Sequence, residues 1–142
     1  MRSGVYVLLI HVPYSFSTKV GELGNIEFEQ GYYAYIGSAM SGLEKRVGRH
    51  MKGEKKLHWH IDYLLLHSRP VDVFIAESNE KCECKIAEEL CRRFSSIDEF
   101  GSSDCECKSH LVYSKDPNEL TKSIISAFKS AGLKLEKRNR YG

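Results

Sequence analysis

Two runs of strand-forming residues, Val5 to Val12 and Tyr32 to Ser38, stand on either side of a turn-rich insertion. This arrangement restricts the fold more than any other feature of the chain. The first run follows Gly4, is rich in β-branched and aromatic residues and stops at Pro13, as a largely buried strand does. Between the runs, Tyr14 to Val20 reads as loop or edge segment, and Gly21 and Gly24-Asn25 as turns. Ile26 and Phe28 alternate with Glu27 and Glu29, a short half-buried strand ending at Gly31. Strands this close along the chain most simply pair antiparallel, which brings Tyr6 and Tyr35 near each other.

Helix signals follow. Ser41-Gly42-Leu43-Glu44 has the form of a capping box, with Ser41 at N-cap and Glu44 at N3. The helix it starts carries Leu43, Val47 and Met51 on one face and ends near Gly53. Arg46 and His50 lie one turn apart on that helix, with Arg49 beside them. Leu57 to His67 reads as a short helix, Val71 to Ala76 as a strand introduced by Pro70, and His110 to Tyr113 as a brief strand. Cys84, Ala87, Leu90, Cys91 and Phe94 form an apolar stripe on a helix spanning Glu80 to Phe94, and Ser95 to Asp104 is irregular. Asp116-Pro117-Asn118-Glu119 predicts a helix from N-cap Asp116 to about Ser130, closed by Gly132. The expected fold class is α+β: a small antiparallel sheet of three strands or slightly more, flanked by helices. At 142 residues the chain fits one domain, with residues 1–114 as its core and residues 115–142 as a C-terminal helix and basic tail of the same unit.

Composition narrows the class of partner. The longest apolar runs, Val5 to Ile10 and Tyr63 to Leu66, are far too short to span a bilayer, so a cytoplasmic protein with no membrane association is expected. Five cysteines (Cys82, Cys84, Cys91, Cys105, Cys107) without a secretory signal argue for reduced thiols, a metal site or small apolar groups, and against a disulfide framework. The net charge is only +2, yet Lys and Arg concentrate in two blocks, Ser41 to Lys56 and Lys129 onward. Such patches suit a polyanion, and they equally suit a solvated helix face and a tail.

The ordered set of Gly4-Val5-Tyr6, Tyr35-Ile36-Gly37, Ser38-Ala39, Arg46 and Arg49-His50 resembles the core of the GIY-YIG nuclease superfamily. His58-Trp59-His60-Ile61-Asp62-Tyr63-Leu64-Leu65, with Gly101-Ser102-Ser103-Asp104-Cys105 and Ser109-His110-Leu111, is similar to its stand-alone Uri-type branch, catalogued as a domain of unknown function. The resemblance covers about residues 4 to 114 and departs in one extra residue between Gly37 and Arg46. It implies hydrolysis of DNA phosphodiester bonds with one divalent ion, Mg²⁺ or Mn²⁺. Tyr6 would position or deprotonate the attacking water, and Tyr35 would border the same phosphate. Arg46 would stabilise the phosphoryl oxygens, and Glu83, with Glu88 as rival, would hold the metal. His50 joins the catalytic candidates, and Gly37, Ser38, Arg49 and His58 are the substrate-binding ones. Nothing resembles an appended DNA-reading module, so specificity is expected from substrate shape or from a protein partner.

Elementary chemistry agrees with these roles in part. A guanidinium offers a rigid, permanently charged fork to phosphate oxygens. One carboxylate plus waters is a common way to hold Mg²⁺. A phenol, with a free pKa of about 10, needs a nearby cation or metal-bound water to shift the balance before it can act as a base. The competing readings are a nucleic-acid-binding module without turnover and a zinc-stabilised interaction domain. In the second, Cys84, Cys105, Cys107 and His110 would be the ligands and the tyrosines would be core. Both cysteine pairs are C-x-C, and on a helix Cys82 and Cys84 point about 200° apart, so they do not share an ion. His58 and Asp62, four residues apart, would form an imidazole–carboxylate pair if their segment is helical.

Overall fold

In the computed structural model, residues 2–52, 56–102, 106–136 and 139–140 are described. Three long strands carry the fold: β1 (Gly4–Val12), then β4 (Gly31–Ala39) after the hairpin β2 (Phe16–Lys19) and β3 (Asn25–Phe28), and β5 (Arg69–Glu77). β1 lies between β4 and β5, antiparallel to both, with Leu8 opposite Tyr35 and Tyr6 opposite Gly37. The two apolar runs therefore pair as expected. The register of β1 with β5 shifts between Leu9 and Ile10, where Pro70 enters the ladder without an N–H to give.

The sheet is larger than three strands. β6 (Ser95–Ser96) and β7 (Leu111–Ser114) extend it beyond β4 in the order β6-β7-β4-β1-β5, and β8 (Asn139–Arg140) pairs antiparallel with β5 at the far edge. β7 pairs with β4 only over Tyr32 to Tyr35, and one further bond runs from the Ile36 N–H to the His110 carbonyl. Past that bond the Gly37–Ala39 stretch of β4 borders a cleft.

Helices cover both faces. α1 (Leu43–Met51) and α2 (His60–Leu64) pack with Tyr6, Leu8, Ile10, Tyr33 and Tyr35, while α3 (Glu83–Cys91) and α4 (Pro117–Ser130) pack with Val5, Val7, Leu9, Ala34, Ile36 and Phe74. Successive residues of β1 thus face different helix layers, and both sets are buried. Among the described residues, no helix is long and apolar enough to cross a membrane.

α4 follows its sequence signals: Asp116 accepts the backbone N–H groups of Asn118 and Glu119, and Pro117 occupies the first turn. α1 departs from them. Its N-cap is Gly42 in the left-handed region (φ 71), where glycine carries no Cβ penalty, with no side-chain cap hydrogen bond. That places the helix start one residue past the expected Ser41 N-cap, and the Glu44 side chain pairs with Arg2. Gly53 lies outside the described residues. α2 is shorter than the Leu57–His67 stretch, because Asp62 accepts the backbone N–H groups of His58 and Trp59 and starts the helix only at His60. α3 begins at Glu83, not Glu80, and buries Ile86, Ala87 and Leu90, leaving Cys84 and Cys91 half-buried at the margins of the expected stripe.

Candidate active site

A cleft of about 530 Å³ opens beside Gly37–Ala39. Tyr6, Tyr35, Gly37, Ser38 and Arg46 line one part of it, His58, Trp59 and His60 another, and Lys81, Glu83, Gly101 and His110 the rest. Residues from both helix layers meet here, since β7 has left the sheet edge open.

The Tyr6 ring lies across Gly37. A Cβ on Gly37 would stand 2.4 Å from the ring, so only glycine lets the first-strand tyrosine occupy this place. Tyr35 tilts against Tyr6 with ring centroids 6.5 Å apart, and Gly101, in the left-handed region (φ 71), packs against Tyr35. His50 is buried beneath the pair, its Nε2 2.8 Å from the Tyr6 hydroxyl, and it does not line the cleft. Burial pushes the Tyr6 phenol up to about 12, outweighing the opposing pull of Arg46. Tyr6 is therefore a neutral phenol near pH 7, and any base strength has to come from the imidazole behind it.

Arg46 donates one N–H to the Ser38 carbonyl at 3.2 Å, and its guanidinium lies 4.6 Å from the Trp59 ring centroid. A guanidinium has five donors, so this bond leaves most of its fork for another acceptor. Arg49 also lies over Trp59, at 4.4 Å, but its fork is committed: two N–H groups reach the Asp62 carboxylate at 2.9 and 3.0 Å. The expectation that Arg49 binds substrate does not match this geometry. Arg49 is absent from the cleft lining and locks α1 to the start of α2. Burial works to raise the Asp62 carboxyl, but Arg49 and the N–H groups of Trp59 and His58 hold it below the usual range. The expected ring-to-carboxylate pairing of His58 with Asp62 is replaced by a bond from the His58 backbone, and the exposed His58 side chain lines the cleft.

Glu83 stands at the first position of α3, facing Tyr6 and Arg46 across the cleft. Its Oε2 is buried without a hydrogen-bond partner among the described residues. An unsatisfied buried carboxylate oxygen is costly, and a cation removes that cost. Glu88 borders a separate depression with Cys91, Arg92 and Lys108, turned away from the cleft. Of the candidate zinc ligands, Cys84, Cys107 and His110 come together, and Cys105 lies outside the described residues.

Several cleft residues fall outside the site set expected from sequence, His60, Trp59 and Lys81 among them. His60 accepts the Gly101 N–H at Nδ1 (2.8 Å), which leaves Nε2 as the protonated nitrogen of the neutral ring, and burial lowers its pKa. His60 and Trp59 sit inside the His58–Leu65 stretch, whose cluster of aromatic and imidazole groups is the signal that points to them. Lys81 carries no such signal. It precedes α3 and enters the lining only through the fold.

The family described as "Domain of unknown function DUF123" matches residues 5–133. No curated protein and no solved structure matches the chain.

Proposed function

The chain belongs to the DUF123 family, and we propose that it is a metal-dependent endonuclease that hydrolyses DNA phosphodiester bonds in the cleft between Tyr6, Arg46 and Glu83. One observation carries this reading: the buried, unpartnered Glu83 oxygen lies across the same cleft as Arg46 and the two tyrosines. The resemblance of the Tyr6, Tyr35–Gly37, Arg46 and His50 positions to the GIY-YIG nuclease superfamily supports the same conclusion.

Glu83 fits a hard divalent ion, Mg²⁺ or Mn²⁺, which one carboxylate and several waters hold in many phosphate-handling sites. Such an ion, when bound, polarises a phosphoryl oxygen. The protein groups do the rest. Arg46 presents its remaining donors to the phosphoryl oxygens and favours the added charge of the transition state. Tyr6 orients the attacking water. As the water oxygen bonds to phosphorus, its proton passes to the Tyr6 oxygen while the phenol proton crosses the 2.8 Å hydrogen bond to His50 Nε2. This relay keeps Tyr6 neutral, consistent with a phenol pushed up to about 12. The phosphorus–oxygen bond to the leaving nucleoside breaks, and that oxygen takes a proton from solvent. Tyr35, Gly37 and Ser38 shape the bed under the phosphate, and His58 and Lys81 add donors at its rim.

The test is cleavage of end-labelled duplex, flap and single-stranded DNA in Mg²⁺ or Mn²⁺. We expect metal-dependent nicking that Glu83→Ala abolishes and that Tyr6→Phe slows by roughly 10²- to 10⁴-fold. If nothing is cut, or Glu83→Ala cuts as well as the parent, the enzyme reading fails. Binding without turnover would then assign a non-catalytic nucleic-acid module.

A further inference from the structure

A second cluster of ligating groups shares the cleft wall through His110 and has no part in the reaction described above. Cys84 lies in the first turn of α3, one residue from Glu83, and Cys107 and His110 lie on the segment leading into β7. The two sulfurs and an imidazole nitrogen all fall within 4.8 Å of one another, and Cys84 Sγ is 3.8 Å from His110 Nε2. In a tetrahedral zinc site, with Zn–S about 2.3 Å and Zn–N about 2.0 Å, neighbouring ligand atoms are roughly 3.5–3.8 Å apart. The Cys84–His110 separation is close to the sulfur–nitrogen end of that range, roughly 3.5 Å, and Cys107 Sγ lies within 4.8 Å of both atoms.

We infer that Cys84, Cys107 and His110 form a binding site for a thiophilic divalent ion, zinc in the first instance, with a fourth ligand from water or another donor. Three observations support this. Cys107-x-x-His110 has the two-residue gap common in structural zinc sites. Cys84, 23 positions before Cys107, reaches the same point through the fold. His110 is buried, and its backbone is held at both ends, its N–H donating to the Phe100 carbonyl and its carbonyl accepting from Ile36. The imidazole is therefore presented from a fixed frame, so little ordering remains to be done when an ion binds. Two thiols and an imidazole select a soft ion, whereas Glu83 suits a hard one, so the two sites differ in the metal they take. The neighbouring Cys82 falls outside this group, its sulfur lying instead 3.4 Å from the Ser78 hydroxyl. Bound zinc would fasten the first turn of α3, which carries Glu83, to the entry of β7. The site stands on its own ligand geometry and does not depend on the nuclease reading.

The experiment measures zinc in the reduced 142-residue chain after loading and exhaustive dialysis. One zinc per chain is expected in the parent and in Cys82→Ser, with bound metal falling about tenfold or more in Cys84→Ser, Cys107→Ser and His110→Asn. His110 is buried and its variant is open to misfolding, so Cys107→Ser, altered at a half-buried thiol outside helix and sheet, is read beside it, with circular dichroism to establish folding. A cobalt titration of the unaltered protein supplies an independent readout, since thiolate ligation gives an intense near-ultraviolet charge-transfer band. Loss of zinc from the parent on dialysis, equal retention by the three ligand variants, absence of the cobalt–thiolate band, or a Cys84–Cys107 disulfide in protein kept under reductant would each overturn the assignment.

Discussion

The two faces of the sheet are built from the same strands and serve different ends. Under α3 and α4, β1 contributes Val5, Val7 and Leu9 to a cluster completed by Ala34, Ile36, Phe74, Leu120, Ile124 and Phe128, and every one of these side chains is apolar. Under α1 and α2, the alternate residues Tyr6, Leu8 and Ile10 meet Tyr33, Tyr35, Leu43, Val47 and Phe100, and three of these carry a phenol. Both faces exclude water. Of these two buried sets, only the second has polar tips to place, and at the open stretch of β4 it brings one of its tyrosines, Tyr6, to a cleft. Packing on the first face requires only complementary volume. On the second it also has to satisfy each hydroxyl, through His50 for Tyr6 and the Glu29 N–H for Tyr33.

Substitutions can separate these roles. Phe128→Ala, on the purely apolar face, is expected to cost about 3–5 kcal/mol of stability through the cavity it leaves, read as a lowered urea midpoint. Cleavage per folded molecule should stay unchanged. A fall in cleavage beyond the folded fraction would show that the faces are coupled. Arg46→Ala, on the other face, should reverse the pattern. Cleavage is expected to drop roughly 10²- to 10³-fold, about 3–4 kcal/mol in the barrier, while the urea midpoint reflects only the lost contact with Trp59 and the lost hydrogen bond to the Ser38 carbonyl, about 1–2 kcal/mol.

Asp62→Asn probes the joint between α1 and α2. Losing the charge-assisted bonds to Arg49 should cost about 1.5–3 kcal/mol at neutral pH. Because the folded Asp62 carboxyl is held below its ordinary value, its contribution is complete above the unfolded carboxyl pKa of about 3.9 and disappears as pH falls through the folded value. The stability gap between parent and variant should therefore narrow below about pH 4. A gap constant from pH 7 to pH 3 would mean that ionisation of Asp62 contributes nothing. The smallest effect is expected at Gly48, exposed on α1, where an added Cβ would meet nothing within 4 Å: Gly48→Ala should raise stability by about 0.5–1 kcal/mol, seen in the melting temperature, and leave cleavage untouched.

Legibility in the sequence followed the range of the interaction. β1, β4 and α4 announce themselves because their signals lie within a few residues: an apolar run closed by proline, a run opened by glycine, and an Asp-Pro start. The α1 start falls one residue later than the serine–glutamate spacing indicates, because the N-cap is Gly42 in a left-handed conformation, which that spacing does not specify. Arg49 misleads for a different reason. Its partner Asp62 is 13 residues away, across a segment whose path no local pattern specifies. Glu83 and Glu88 are both eligible metal ligands in the sequence, and the helix phase separates them, one into the cleft and one into another depression.

What the sequence determined by itself is the α+β class and the antiparallel pairing that brings Tyr6 beside Tyr35. These depend on side-chain type and short spacing, which a linear reading contains. The tertiary structure alone decided that His50 lies behind Tyr6, that Arg49 is committed to Asp62, that Lys81 and His60 reach the cleft, and that Cys84 meets Cys107 and His110. Each of those meetings joins segments from different parts of the chain around an open sheet edge, and where that edge opens is set by how far β7 follows β4 before departing. Such a departure is a balance of packing over the whole domain, so no stretch of sequence carries it alone.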